Sequence, residues 1–303
     1  MNVPESNVPK FVTDTTAQRW SRRRFLGGTI GVAALGSFAA GCSVLDPGAN
    51  APASPAATAP QAVPSPSTVP SPGVDAELLS ARYGIKPFAT APAPPTVKPI
   101  TLSASDPTVF SHVPLADKVV FVTIDDGIEK DPAFIQMVKD VQVPITISLA
   151  DTLIKDDYAY FEKLYETGFV SIQNHTVTHP LNMPSLSADQ QLYEIATQQE
   201  KLHAEYGVRP YIFRPPGGNY DATTIATTSQ AGLKGLMLWK ESMEISDMQY
   251  QTAAHRLSPG DIILCHFRTP AQLDGESMVR MMSRLFRHIQ DQGFTVAAVT
   301  DYV

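Results

Sequence analysis

Short runs of apolar and β-branched residues alternate with longer segments of helical spacing along the chain from about residue 118. Seven short runs are typical of strands: residues 119–124, 145–149, 169–173, 211–213, 235–239, 262–265 and 294–299. Five longer segments are typical of helices, and several end at glycine: residues 131–141, 156–168, 187–207, 221–232 and 275–293. This alternation predicts an α/β domain with parallel strands, and seven strands in one domain favour a compact barrel over an open sheet.

The N-terminal part of the chain follows a different pattern. The basic stretch "SRRRFLGG", residues 21–28, precedes a modestly apolar run, rich in glycine and alanine, that reaches Gly41. A membrane-spanning helix needs about 20 strongly apolar residues, so this run is a poor transmembrane anchor. Paired arginines followed by Phe and Leu resemble the twin-arginine export signal. Residues 1–42 are therefore predicted to be a signal peptide, and the protein is predicted to be exported.

The signal segment ends at a cysteine that resembles a lipidation site. The stretch "FAAGC" resembles a bacterial lipobox, in which Cys42 would become the lipid-modified first residue after cleavage. The alternative is simple cleavage that leaves Cys42 as a free thiol on a secreted protein. Lipidation would place the protein on the outer face of the cell membrane or within the cell wall.

A proline-rich segment separates the signal from the periodic part of the chain. Half of the 26 prolines lie between positions 47 and 99, and positions 47–74 carry no charge. Such a composition buries too little apolar surface to offset the entropy of ordering the chain. Residues 43–100 are therefore predicted to be a disordered Pro/Ala/Ser-rich linker, and residues 101–303 to be a single folded domain.

Composition limits the partners that this domain can have. The formal net charge is −7, and no basic stripe occurs in the periodic part of the chain, so nucleic acid is not an expected partner. The only other cysteine, Cys265, falls in a predicted core strand, and no disulfide with Cys42 is expected. We expect a monomer.

Polar residues with metal-binding or acid-base chemistry follow the ends of the predicted strands. They are Asp125, Asp126, His175, His179, Arg214 and His266. Since the carboxyl ends of parallel strands meet at one edge, these side chains should lie together. Two histidines four residues apart on a helical turn face one side and can bind one cation, with one carboxylate as the third ligand. The other carboxylate would act as a base towards water.

Four motifs in order extend a resemblance over residues 118–303. The strings "TIDDG", "HTVTH", "RPPGG" and "LCH" resemble those of the polysaccharide deacetylase family, carbohydrate esterase family 4. The resemblance implies a distorted (β/α) barrel, a divalent metal and removal of acetyl groups from N- or O-acetylated sugars. It implies a general base at Asp125 and metal ligands at Asp126, His175 and His179. It further implies that Arg214 orients the base, that His266 is the general acid and that Leu264 lines the acetyl pocket.

Two departures from the family pattern affect the expected substrate pocket and the tuning of the expected general acid. Gly217, after Pro216, replaces the usual aromatic residue of the third motif. Glycine keeps the backbone N–H that the resemblance assigns to oxyanion binding, but it lacks the side chain that would wall the groove. The fourth motif is only partly present. Trp239 stands at a strand end, while the usual aspartate is missing, and three acidic residues are candidates to replace it: Glu241, Glu244 and Asp247.

The predicted function is metal-dependent removal of acetyl groups from cell-surface polysaccharide. Peptidoglycan is the favoured substrate because a tethered domain would face the wall, and chitin-like glycans are the next choice. Zinc is the favoured metal, with cobalt or nickel also suitable. Two alternatives stay open. One is a wall-polysaccharide binding module with weak or no catalysis, and the other is a metal-dependent hydrolase of a non-sugar amide.

Overall fold

The computed structural model describes residues 73–303 of the chain. The strands of this part are β1 (Thr108–Phe110), β2 (Val119–Asp126), β3 (Ile145–Leu149), β4 (Val170–Asn174), β5 (Ile212–Phe213), β6 (Gly235–Met237), β7 (Glu241–Met243), β8 (Met248–Tyr250), β9 (Ile262–His266) and β10 (Thr295–Val296). Nine strands form a curled sheet in the order β1-β6-β5-β4-β3-β2-β9-β7-β8, and β10 pairs with β2. Every strand pair is parallel except β7 with β8.

The curled sheet is a half-barrel, because among the described residues the ladder does not close between β1 and β8. This mixed α/β fold confirms the predicted distorted (β/α) barrel. Each of the seven predicted strands is present, whereas β1, β7 and β8 were missed. Those three strands have three residues each, which is too short for apolar alternation to be recognised.

Helices lie against the outer face of the sheet. They are α1 (Ala76–Tyr83), α2 (Pro132–Val141), α3 (Asp151–Ile154), α4 (Tyr158–Tyr165), α5 (Ala188–Tyr206), α6 (Ala222–Gln230) and α7 (Met278–Asp291). The five predicted helical segments correspond to α2, α4, α5, α6 and α7. The longest, α5, begins with a capping box in which Ser187 and Gln190 each bind the other's backbone N–H. Between residues 73 and 303, no helix has the length and apolarity needed to cross a membrane.

The central strand β2 is buried on both faces, which explains its nearly continuous apolar sequence. Val120, Val122 and Ile124 belong to the core between the sheet and its helices. Val119 and Phe121 belong to a second core on the other face. Because strand side chains alternate between faces, Thr123 and Asp125 share the face of Val119 and Phe121.

Residues 73–100 are part of the fold, although their composition predicted a disordered linker. Leu79 and Tyr83 of α1 are buried in the same core as α7, and Ile85 and Ile100 are also buried. A helix of eight residues has little stability of its own, so its order comes from docking, which average composition does not reveal. Residues 43–72, Cys42 and the predicted signal peptide lie outside the described residues.

Candidate active site

Six predicted site residues lie together where β2, β4, β5 and β9 end. They are Asp125, Asp126, His175, His179, Arg214 and His266. In the register of β2 and β9, Asp125 stands opposite His266. Asn174 pairs with the last residue of β5, so the residues that follow, His175 and Arg214, are also neighbours. The parallel register of the sheet therefore gathers residues that are far apart in the sequence.

Asp126 and the two histidines form a compact set of metal-ligating groups. Asp126 Oδ1 lies 3.0 Å from His179 Nε2 and 3.4 Å from His175 Nε2. The three ligand atoms all lie within 4.8 Å of one another, and Asp126 Oδ1 receives no hydrogen bond of good geometry. His175 Nδ1 donates to the Arg214 carbonyl oxygen at 2.6 Å, which leaves the lone pair of Nε2 for a metal. Two imidazole nitrogens and one carboxylate oxygen suit Zn²⁺, so these residues fit a divalent cation.

The two histidines lie on a loop, and the helical turn predicted from their spacing was wrong. Thr176 and His179 have left-handed backbone φ angles of +74° and +59°. The Thr176 N–H donates to Asn174 Oδ1 at 3.0 Å, and the His179 N–H donates to Thr176 Oγ1 at 3.1 Å. Side-chain oxygens thus replace the carbonyl acceptors that a helical turn would use. The loop still brings both imidazoles to Asp126.

Sequence reasoning missed Glu194, the residue of α5 that holds this histidine loop in place. Its buried carboxylate accepts the N–H groups of Val177 at 3.0 Å and Thr178 at 2.7 Å. It also accepts the Thr178 hydroxyl at 2.5 Å. A glutamate within an amphipathic helical pattern gives no signal that it is buried, so the sequence alone could not identify it.

The neighbouring carboxylate, Asp125, is buried and bound to Arg214. Arg214 Nη1 donates to Asp125 Oδ2 at 3.2 Å, and Nη2 donates to Thr123 Oγ1 at 3.1 Å. The Trp239 ring lies over the guanidinium, 5.5 Å from Cζ to the ring centroid. Asp125 Oδ1 has no hydrogen-bond partner and can accept a proton. This geometry corresponds to a base that is aimed by a fixed arginine.

Burial and the neighbouring charges have opposite effects on the pKa values of the site residues. Burial disfavours a charged Asp126, but the imidazoles of His175 and His179 hold the pKa of its carboxyl well below the usual range. Burial lowers the pKa of His175, and the carboxylates of Asp125 and Asp126 outweigh this effect and raise it. At His266 the effect of burial prevails, so the pKa of that imidazole is lowered. The Asp126 carboxylate therefore has the ionised form that metal binding requires, whereas the raised pKa of His175 means that a bound metal would displace a proton from that ring.

The structure separates the three acidic candidates for the fourth motif. Glu241 stands opposite Ile263 and is hydrogen-bonded to Asp261, near the start of β9 and away from its end at His266. Asp247 accepts a bond from Gln249. Glu244 alone of the three extends towards His266, through an ion pair with Arg268 at 2.7 Å.

The expected pocket residues surround this cluster. Leu264 lies two residues before His266 on β9 and shares its face. Gly217 follows Pro216 in a 3-10 turn and has a φ of +64°. A Cβ at Gly217 would lie 3.2 Å from the Leu181 carbonyl oxygen, and the Leu181 side chain is largely exposed. Leu181, two residues after His179, thus lies directly beside Gly217.

Comparison with known proteins agrees with this geometry. Residues 112–236 match the sequence model described as polysaccharide deacetylase. An uncharacterized protein of Streptomyces coelicolor is 36% identical over 198 residues, which cover 65% of this chain and 78% of that protein. The chain belongs to the polysaccharide deacetylase family. A peptidoglycan-N-acetylglucosamine deacetylase of Bacillus cereus is 23% identical over 201 residues, covering 63% of this chain and 90% of that protein.

The structure of a pseudoenzyme of carbohydrate esterase family 4 from Bacillus anthracis is also similar. It has a TM-score of 0.53 and 19% identity, and the match covers 65% of this chain and 69% of that chain. Identity this low supports the fold alone. The polysaccharide deacetylase match ends at residue 236, before His266, so the role of His266 rests on the geometry of this chain.

Proposed function

We propose that this protein removes acetyl groups from N-acetylated sugars of a cell-surface polysaccharide, with a zinc ion held by Asp126, His175 and His179. Polysaccharide deacetylases are hydrolases that in general depend on a metal. The observation that carries the proposal is the placement of these ligands next to Asp125, whose Oδ1 is free and whose Oδ2 is bound by Arg214. Cobalt and nickel are alternatives to zinc.

Peptidoglycan is the favoured substrate in this proposal. The named relative from Bacillus cereus acts, by its name, on N-acetylglucosamine of peptidoglycan. Lipidation at Cys42, if present, would keep the domain next to the wall. Chitin-like glycans and O-acetyl groups are the alternatives that a substrate panel distinguishes.

The residues of the chain divide the proposed reaction between them. A bound divalent metal would polarise the acetyl carbonyl and acidify water. Asp125 Oδ1 takes the proton from the attacking water, and Arg214 keeps this carboxylate ionised and aimed. The Gly217 N–H binds the developing oxyanion. His266 donates a proton to the sugar nitrogen as the C–N bond breaks, so the products are acetate and a free amine.

The test is acetate release from N-acetylglucosamine oligomers and from peptidoglycan, after zinc is supplied to metal-stripped protein. We expect Asp125→Asn to bind zinc normally and to lose about 10²- to 10⁴-fold in rate, because the base is removed. Asp126→Asn should lose zinc affinity as well. Asp106→Asn, in an exposed loop away from the site, should match the wild type.

Each outcome of this test has a defined meaning. Equal zinc loss in both active-site variants would contradict the division of roles. A zinc-loaded wild type that binds glycan and releases no acetate would identify a wall-polysaccharide binding module. Release from simple amides and not from sugars would identify a non-sugar hydrolase.

A further inference from the structure

A chain of polar contacts joins β7 to the imidazole of His266. Arg268 Nη2 lies 2.7 Å from Glu244 Oε2 and 3.4 Å from His266 Nδ1, a long hydrogen bond. Glu244 Oε1 accepts the Ser242 hydroxyl at 3.0 Å. Ser242 itself stands opposite Leu264 in the parallel register of β7 and β9. These contacts run from one strand to the end of the next.

Both ends of this contact chain are fixed by the fold. The residue before Arg268, Phe267, is fully buried and packs edge-on against Phe134 and Phe161. The Phe267 N–H donates to the Asp125 carbonyl oxygen at 3.1 Å. The Glu244 N–H donates to the Asp247 carbonyl oxygen at 3.0 Å in the turn between β7 and β8. The guanidinium is therefore anchored from both sides and is largely covered, with 22% of its side chain exposed.

The hydrogen-bonding chemistry of the Arg268 guanidinium determines which form of the His266 ring can face it. Arginine has only hydrogen-bond donors and stays charged, so the nitrogen that faces it must offer a lone pair. His266 Nδ1 is that nitrogen. In the neutral ring the single proton then lies on Nε2. A neutral imidazole can act as a donor to a reacting group, as happens in other enzymes.

We propose that Arg268, held by Glu244, is a positioning residue that fixes the orientation of His266 and keeps its proton on Nε2. The ring passes this proton to the leaving nitrogen and recovers one from Asp125, which took it from the attacking water. Arg268 and Glu244 thus take the place of the aspartate missing from the fourth motif. The group next to the His266 ring is then positively charged, whereas an aspartate would be negative. Arg268 does not contact the substrate in this scheme. The inference rests on the proposed deacetylase function, and its test includes a measurement that does not depend on activity.

The measurement independent of activity is the tautomer of His266. Long-range ¹H–¹⁵N correlation spectra of histidine-labelled protein, recorded with and without zinc, report which ring nitrogen carries the proton. We expect the Nε2–H form in the wild type. In Arg268→Met we expect a mixture of tautomers or the Nδ1–H form. A wild-type ring protonated on Nδ1 would overturn the proposal, whether or not the protein releases acetate.

The kinetic measurement compares Arg268→Met, Arg268→Lys and Glu244→Gln on an N-acetylated oligosaccharide. We expect Arg268→Met to lower kcat by about 10- to 100-fold, less than the loss of the acid itself, with KM changed less than about twofold. Arg268→Lys keeps a charged donor and should recover most of the rate. Glu244→Gln should fall between the two, because the arginine loses its ionic partner.

Matched controls make the result specific to the site. Arg280→Met removes an exposed arginine of α7 that pairs with Glu276, and it should leave kcat unchanged. Zinc affinity should be the same in all these variants, because Arg268 does not contact the metal-ligating groups. Wild-type kcat in Arg268→Met would refute the positioning role. A wild type without acetate release would refute the proposed function, and the tautomer would still decide the question of Arg268.

Discussion

At the scale of single residues, two adjacent aspartates serve one site because the backbone turns between them. Consecutive side chains of an extended strand face opposite sides of the sheet, which would separate Asp125 from Asp126. Asp126 instead has a φ of +81°. As a result both carboxylates approach one imidazole. His175 Nε2 lies 4.0 Å from Asp125 Oδ2 and 3.4 Å from Asp126 Oδ1. Such a strained backbone at a ligand is typical of a functional site.

Gly217 gives a residue-scale prediction about the altered third motif. A Cβ there would lie 3.1 Å from Asn219 Nδ2 and 3.2 Å from the Leu181 carbonyl oxygen, on a left-handed backbone. Gly168 has a similar φ and open space around it. Gly168→Ala should therefore cost about 1–2 kcal/mol of unfolding free energy from backbone strain alone. Gly217→Ala should cost more.

Urea unfolding of the two variants measures this difference. Equal costs would mean that the neighbours of Gly217 move aside without penalty. If Gly217→Ala is the more costly, an aromatic side chain cannot be restored at this position unless the histidine loop is changed as well.

At the scale of elements, the histidine loop depends on a helix that contributes no ligand. Glu194 of α5 binds two backbone N–H groups and one hydroxyl of the loop. The same helix binds the end of β4, where Asn174 Nδ2 donates to the Ile195 carbonyl oxygen at 2.9 Å and to Gln199 Oε1 at 3.1 Å. The position of α5 therefore sets the position of His175 and His179.

Glu194→Gln tests this dependence. An amide offers one acceptor oxygen instead of two, so part of the loop loses its anchor. We expect zinc affinity to fall by about 10- to 100-fold, the usual effect of losing an outer partner of a metal ligand. Glu200→Gln, on the same helix and paired with Arg209 at the surface, is the matched control. Isothermal titration with zinc measures both, and equal affinities would show that the loop holds its shape without Glu194.

Sequence pattern predicted that the proposed ligands and the proposed base lie together, because each follows the end of a recognisable strand. It could not predict how the histidine loop folds, since that conformation depends on Glu194 and Asn174, which carry no distinctive pattern. Arg268 was also out of reach, and Glu244 was only one of three acidic candidates, because their contact requires β7 to lie beside β9. A strand of three residues gives too little alternation for that pairing to be foreseen. The helix α1 was not predicted, because the many prolines around it indicated a disordered linker.

At the scale of the whole molecule, a second pair of acidic groups lies away from the active site. Glu241 and Asp261 are buried and hydrogen-bonded to each other near the start of β9. Asp261 Oδ2 also accepts the Ser258 N–H at 2.6 Å. Burial and the Asp261 carboxylate raise the pKa of Glu241 well above its usual value. The folded protein therefore retains a proton here that the unfolded chain releases.

The consequence is a loss of stability as the pH rises. Above the unfolded pKa of Glu241, the native state binds more protons than the unfolded state, so the free energy of unfolding falls with increasing pH until the native pKa is passed. Glu241→Gln imitates the protonated form. It should unfold like the wild type at about pH 5 and be more stable by at least about 1 kcal/mol at about pH 9. Urea titrations at both pH values measure this, with exposed Glu205→Gln as the control. A gain that is the same at both pH values would contradict it.

The lipid tether proposed at Cys42 predicts a change in location without a change in activity. We expect Cys42→Ala to move the protein from the membrane fraction to the soluble fraction, because the acyl attachment point is lost. Acetate release should be unchanged, since the proposed site residues all lie between positions 125 and 266 of the sequence. Fractionation followed by an activity assay measures both. Labelling by a fatty-acid analogue that persists in Cys42→Ala would contradict the assignment.

β2 pairs with β9 and β10, which lie much later in the sequence, so β2 stays partly unpaired while the chain is being synthesised. The ribosome synthesises β2 early, and β3 follows soon afterwards. The other two partners, β9 and β10, are residues 262–266 and 295–296, so they are synthesised much later. Until those residues leave the ribosome, the apolar flank of β2 is an unpaired edge that a second nascent chain could bind. A chaperone that shields residues 119–126 during this interval would raise the yield of native protein. Slowing translation after residue 150 would lower the yield by lengthening the exposure.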